Sequence, residues 1–240
     1  MKMTIMCGRF AQFETREEYL EFLNAGVEFA GALDGEPIGR YNVAPGTRVL
    51  LLNQREDKLH LDPVHWGYQP AWAKESGRPP LINARVETAA TGRMFKPLWN
   101  SGRALVMADG WYEWKKDPDN VKIKQPYFIY HKNKKPIFFA AISRFHPDAL
   151  DAPDDDGFVI VTAASDKGLV DIHDRRPLVM TREASLEWMS PETTPERAEE
   201  LAHEYLIGAD EFTFHPVGRA VGNIHNDGES IIKRIENPVV

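Results

Sequence analysis

Cys7 is the only cysteine in this 240-residue chain, and it follows Met6 in the stretch Met6-Cys7-Gly8-Arg9-Phe10. Loss of Met6 and everything before it would leave an amino-terminal cysteine, with amine and thiol on adjacent carbons. That pair reacts with an aldehyde as no internal cysteine can: the amine condenses to an imine, and the thiol closes on it to give a thiazolidine. An α-amine titrates near pH ~7.7–8.0, against ~10.4 for lysine, so part of it is neutral and nucleophilic at cellular pH. The thiolate fraction depends on surroundings. The competing reading of Cys7 is a small buried residue of the core.

Three other segments carry more chemistry than packing asks for. Leu81 through Thr88 places Asn83, Arg85 and Glu87 at alternate positions, so an extended backbone puts all three on one face, either a solvated edge or a site. Glu113 lies among Trp111, Tyr112 and Trp114. A carboxylate against aromatic rings loses solvation, which raises its pKa and suits it to general acid work. His173 stands beside Asp174, Arg175 and Arg176. Histidine is readily poised near neutral pH, and arginines suit phosphates. Cys7 with His173 and either Asn83 or Glu113 also supplies the ingredients of a thiol hydrolase.

Arg9, Arg40, Arg85, Arg93, Lys96, Arg175, Arg176 and Arg219 fall in or near these segments, and Trp66, Trp72, Phe95 and Trp99 are interleaved with the central group. Stacking on aromatics with phosphate contacts from arginine is how single strands are held. Taken singly, each aromatic also suits a core.

The elements that must position these groups read as follows. Thr15 caps a helix with Glu18 closing a capping box, and Gly35–Gly46 reads as a loop. Strands are predicted at 49–52, 59–66, 104–108, 127–130, 137–142 and 158–162, and helices at 181–189 and 195–206, the latter with Pro195 in its first turn. Lys115–Lys124 and Asp148–Asp156 read as hairpin tips or surface loops. The expected architecture is one α+β domain around mostly antiparallel strands.

Composition narrows the class. The chain is 42% hydrophobic and 27% charged, with net charge −7, which argues against a generally basic nucleic-acid binder and leaves room for a local basic channel. No run approaches the ~20 apolar residues of a membrane span, so a cytoplasmic protein is expected. One cysteine and scattered histidines call for neither disulfides nor a metal, and no cofactor is expected.

Met6–Phe10, Gly39–Thr47, Trp66-Gly67-Tyr68, Leu81–Ala89, Ala108–Lys115 and Ile172–Leu178 with His215-Pro216-Val217, in this order, resemble the SRAP family, the SOS response-associated peptidases or abasic site processing proteins. The resemblance covers residues 6 to about 233. It implies a single α+β domain with a β-rich core, peripheral helices and a positively charged groove, over residues 7–233 with a tail at 234–240. Residues 1–6 are then an extension or a misplaced start, absent from the mature protein. The implied function is capture of abasic sites in single-stranded DNA as a thiazolidine crosslink, by a monomer, with strand-lyase and autopeptidase activity. A thiol peptidase using Cys7 and His173 is the alternative. By motif, Cys7 is the nucleophile, Asn83 orients amine and sugar, Glu113 is acid and base, and His173 assists sugar-ring opening. Arg9, Arg85, Arg93 and Arg175 are assigned to phosphates, Pro45 and Trp72 to flanking bases. The chain departs from the family at Ala73, where a second aromatic is common, and in the longer Lys74–Arg78 segment.

Overall fold

Apolar runs with no polar alternation dominate the middle of the chain, and in a computed structural model, which describes residues 7–147, 153 and 155–240, they form the centre of a sheet buried on both faces. This sheet has seven strands, β4 (Lys58–His65), β3 (Arg48–Arg55), β6 (Arg103–Ala108), β9 (Ile137–Arg144), β10 (Gly157–Ala164) and β11 (Arg175–Pro177) in that order, with β5 (Asn83–Arg85) also on β10. All pairs are antiparallel except β5 with β10. A five-stranded sheet, ordered β12 (Phe212–Pro216), β8 (Lys124–His131), β7 (Gly110–Lys116), β1 (Phe10–Gln12) and β2 (Arg40–Val43), packs against it.

The period of two along the strands assigns each residue to a layer. Val106, Phe139, Ala141 and Ile160 meet Phe10, Val43, Trp111 and Ile129 between the sheets. Their neighbours Leu105, Met107, Phe138, Ala140, Ile142, Val159 and Val161 face the helices instead. There they pack with Tyr19 and Leu23 of α1 (Arg16–Leu23), Leu98 and Trp99 of α4 (Lys96–Ser101), Trp188 of α5 (Arg182–Met189) and Leu201 of α6 (Pro195–Glu204). Thr15 caps α1 in a full capping box, and Pro195 occupies the first turn of α6.

Several expectations change. Gly35–Gly46 is not wholly loop, because Arg40–Val43 pairs with β1 as an edge strand. The extended stretch over residues 83–87 stops at Arg85, where the chain turns into the short helix α3 (Val86–Ala89), so Glu87 leaves the face shared by Asn83 and Arg85. Trp66 and Trp99 are fully buried and belong to the core. The tip between β7 and β8 is as expected, whereas the Asp148–Asp156 loop lies mostly, and residues 1–6 wholly, outside the described residues.

Backbone contact fixes Gly157 at the start of β10: a Cβ there would stand 2.0 Å from the Gly67 carbonyl oxygen. Gly67 in turn donates to the Phe158 carbonyl. Gly157→Ala is therefore expected to lower stability by about 3 kcal/mol, at the upper end for overpacking, read as a fall in urea midpoint with unchanged slope.

Candidate active site

Two distant segments, β5 and β7, meet at Cys7. The Tyr112 N–H donates to the Arg9 carbonyl, which lays residues 7–9 along β7. Trp111 faces the inter-sheet layer, and Glu113, two residues on, falls on the same side. The Cys7 N–H donates to Glu113 Oε1 at 3.2 Å, and Asn83 Nδ2 donates to the Cys7 carbonyl at 3.4 Å. Cys7 is fully buried, Glu113 is 4% exposed, and Cys7 is held at φ 29°, in the left-handed region. Non-glycine residues rarely hold that region without strain.

Asn83 owes its place to the core aromatic beside it. Trp66 Nε1 donates to the Ile82 carbonyl at 3.0 Å, and that carbonyl also accepts the Ile160 N–H, so the start of β5 is fixed from two sides. His173 follows a one-turn helix at Lys167–Asp171 whose Leu169 carbonyl accepts the His173 N–H. His173 Nδ1 accepts the Arg175 N–H at 3.1 Å, with the Asp174 carboxylate also 3.1 Å away. Nδ1 also lies 3.3 Å from the Arg175 carbonyl oxygen, so it faces one donor and two acceptors, and the neutral ring can carry its proton on either nitrogen.

The electrostatics separate two roles. Burial pushes the Glu113 carboxyl well above the ordinary range; the Asp174 charge adds to this and the Cys7 N–H opposes it. Burial also lowers His173, against the pull of Asp174. Glu113 thus holds a proton to higher pH than an exposed glutamate, while His173 stays a free base to lower pH. Burial, reinforced by Glu113, raises the Cys7 thiol well above its usual range, so it is a neutral thiol. Among the described residues no hydrogen bond joins that thiol to His173, and none forms a group of three metal-ligating side chains.

The six residues assigned to DNA divide. Arg85 and Arg93 are exposed or half-buried, as are Trp72 and Pro45. Trp72, on α2 (Ala71–Glu75), carries the Arg93 guanidinium 4.5 Å from its ring centroid and that of Arg78 at 5.4 Å. The Lys74–Arg78 segment thus places the Arg78 guanidinium over the Trp72 ring, while Ala73 is buried. Arg9 and Arg175 lie inside the protein. Arg9 Nη1 bonds Asn42 Oδ1 at 2.8 Å and the Val221 carbonyl at 2.5 Å, over Trp114. Arg175, 4% exposed, is paired with Glu87. Nothing in the sequence marks Arg78 for this contact, whereas Asp174 carries a signal as the acid beside His173 and Glu87 as the last of three alternating polar residues.

Comparison with known proteins gives the chain its relatives. The model of the family described as SOS response associated peptidase (SRAP) matches residues 6–224. The abasic site processing protein YedK of Escherichia coli (strain K12) is 56% identical over 230 residues, 96% of this chain and 100% of that protein. The abasic site processing protein HMCES of Mus musculus is 32% identical over 199 residues, 69% of this chain and 54% of that one. Among solved structures, a phage-related protein from Bordetella bronchiseptica covers 93% of this chain and 100% of its own at 35% identity, with a TM-score of 0.75. The chain belongs to the SOS response associated peptidase (SRAP) family.

Proposed function

We propose that this protein processes abasic sites in single-stranded DNA by capturing their aldehyde at Cys7. The observation that carries this reading is the Cys7 nitrogen held 3.2 Å from a buried, proton-retaining Glu113. The names of its relatives, YedK and HMCES, point to the same lesion.

Capture requires Met6 to be gone, since an amide nitrogen cannot condense with an aldehyde. The family match beginning at residue 6 supports a working chain that starts at Cys7. Either translation starts at Met6 and the methionine is trimmed, or the protein cleaves its own Met6–Cys7 bond.

The abasic sugar rests mainly as a closed hemiacetal, and opening it moves a proton from the C1′ hydroxyl and delivers one to the ring oxygen. His173, which burial keeps neutral to lower pH than a free histidine, assists that transfer by relaying a proton through its ring. The Cys7 amine then adds to C1′, Glu113 protonates the departing oxygen, and water leaves with the imine formed. Sγ adds to the same carbon while the thiol proton passes to nitrogen. The thiazolidine thus differs from its reactants by one water. The thiol needs no lowered pKa for this, because the imine is a strong electrophile. A thiol peptidase acting on other proteins needs the opposite, a depressed thiol pKa and a paired base.

Arg85 and Arg93 hold phosphates in this reading, with Trp72 and Pro45 beside the flanking bases. Each phosphate neutralised on a single strand contributes about −0.7 to the slope of log K against log salt. Arg85→Ala and Arg93→Ala are each expected to reduce that slope by about 0.7, measured by anisotropy on a strand carrying a reduced abasic site. The function itself is tested on a denaturing gel, with an abasic oligonucleotide beside its intact-base control. A shifted band only with the abasic strand is expected; no covalent band, or one with both strands, contradicts the proposal.

A further inference from the structure

Residues 69–80 form a loop that springs from the edge of the site. Tyr68 and Leu81 exchange both backbone hydrogen bonds, at 2.8 and 2.9 Å, and so close its base two residues before Asn83. After α2 the chain reverses at Gly77, whose φ of 70° a side chain would strain. The Arg78 N–H then donates to the Ala73 carbonyl at 2.9 Å, and Gln69 Nε2 donates to the Arg78 carbonyl at 2.5 Å, so the backbone of Arg78 is held from both sides. Its exposed guanidinium stands 5.4 Å from the centroid of Trp72, which also carries that of the exposed Arg93 at 4.5 Å. Two cations on one ring lie within the screening length of about 10 Å at 0.1 M salt, and they repel. Among the described residues no carboxylate forms an ion pair with either.

We infer that Arg78 is a strand-binding residue, and that Trp72 holds the Arg78 and Arg93 guanidiniums on one ring to take successive phosphates of the DNA strand beside the lesion. That the anion is DNA phosphate rests on the proposed capture reading; that an anion belongs here rests on two guanidiniums held together with no carboxylate partner among the described residues. A guanidinium suits this place where an ammonium would not, since its flat face stacks on the indole while its edge N–H groups stay free for phosphate oxygens. Adjacent phosphates of one strand relieve the repulsion between the two cations. Closure of the loop next to Asn83 sets the platform beside the reacting sugar, so the phosphates concerned are those flanking it. Arg85, exposed on the strand that carries Asn83, extends the same run. Arg78 itself ends the Lys74–Arg78 segment, which is longer here than the SRAP pattern, so its contact is an addition made by this chain.

The test reads the salt dependence of binding to a single strand carrying a tetrahydrofuran site, which has no aldehyde. Arg78→Ala is expected to reduce the magnitude of the slope of log K against log salt by about 0.7, or about fivefold less loss of affinity for each tenfold rise in salt. Arg78→Lys, which keeps the charge, retains the slope, and Arg78→Gln carries the test if the Ala variant does not fold. In a Trp72→Ala background the same Arg78→Ala change has a smaller effect, because the ring no longer holds the guanidinium in place. An unchanged slope in a folded Arg78→Ala or Arg78→Gln protein overturns the inference. It does so even where the melting temperature falls, the sign of a guanidinium that only packs on the ring. Equal effects in the two backgrounds overturn the part given to Trp72. Crosslinking of an abasic strand is scored separately on a denaturing gel. Wild-type protein that binds the tetrahydrofuran strand and forms no crosslink rejects capture, and Arg78 is still judged by its slope. Protein that crosslinks while Arg78→Ala keeps the full slope rejects Arg78 alone.

Discussion

Cys7→Ala, in a protein whose Met6 has been removed, is expected to lose the heat-stable DNA adduct completely and to keep strand cleavage at the abasic site. The amine survives the substitution, so condensation with C1′ still gives the imine. Without Sγ nothing traps that imine, and loss of a C2′ proton expels the 3′ phosphate. The thiol in this reading converts a transient, strand-breaking intermediate into a stable, strand-preserving one. Its burial and its raised pKa suit a group that acts second, on an electrophile made by the amine. A denaturing gel after heating reads both outcomes in one lane. A heat-stable adduct in the alanine protein would contradict the role given to the thiol.

Glu113→Gln carries the second large effect, and it acts in two directions. Removal of a positioned general acid costs about 10²- to 10⁴-fold in rate, so capture falls by that order in single-turnover assays. Stability moves the other way. The folded state raises the Glu113 pKa above its unfolded value, chiefly by burial. A raised carboxyl favours folding below its unfolded pKa, near ~4.3, and that contribution is lost as pH rises through the folded pKa. At neutral and higher pH the wild-type protein therefore bears a cost that glutamine does not. The Gln variant should melt higher there, by about 2–4 °C for each kcal/mol relieved in a chain of this size, and the gap should close in acid. A Gln variant that is slower and also less stable across the whole range would contradict the assignment of Glu113 as a strained acid.

The strands of the buried sheet are legible in sequence because their apolar runs are long: Ala104–Ala108, Ile137–Ile142 and Phe158–Thr162 each lie within an observed strand. What the sequence hides is short or polar. β1 has three residues yet sits between β2 and β7, and β5 and β11 have three each, too few for a period of two to show. These are the strands beside the site. Cys7, Asn83, Glu113 and His173 are recognisable by residue type and by family motif. Their meeting is not, since Cys7 and Glu113 are 106 positions apart. Arg9 and Arg175, assigned to phosphates by motif, are largely buried and bonded to internal partners, a burial that residue type alone does not show. Trp66 stands in sequence with the aromatics that suit base stacking, and instead anchors the Asn83 strand through its ring N–H.

Peptide mass spectrometry of the protein after reaction with an abasic oligonucleotide tests the central claim most directly. Digestion should yield an amino-terminal peptide beginning at Cys7 that carries the abasic deoxyribose, with the mass of the two components less one water and no free thiol. A sugar attached at a lysine, or an adduct on a peptide that still contains Met6, would contradict capture by the Cys7 amine and thiol.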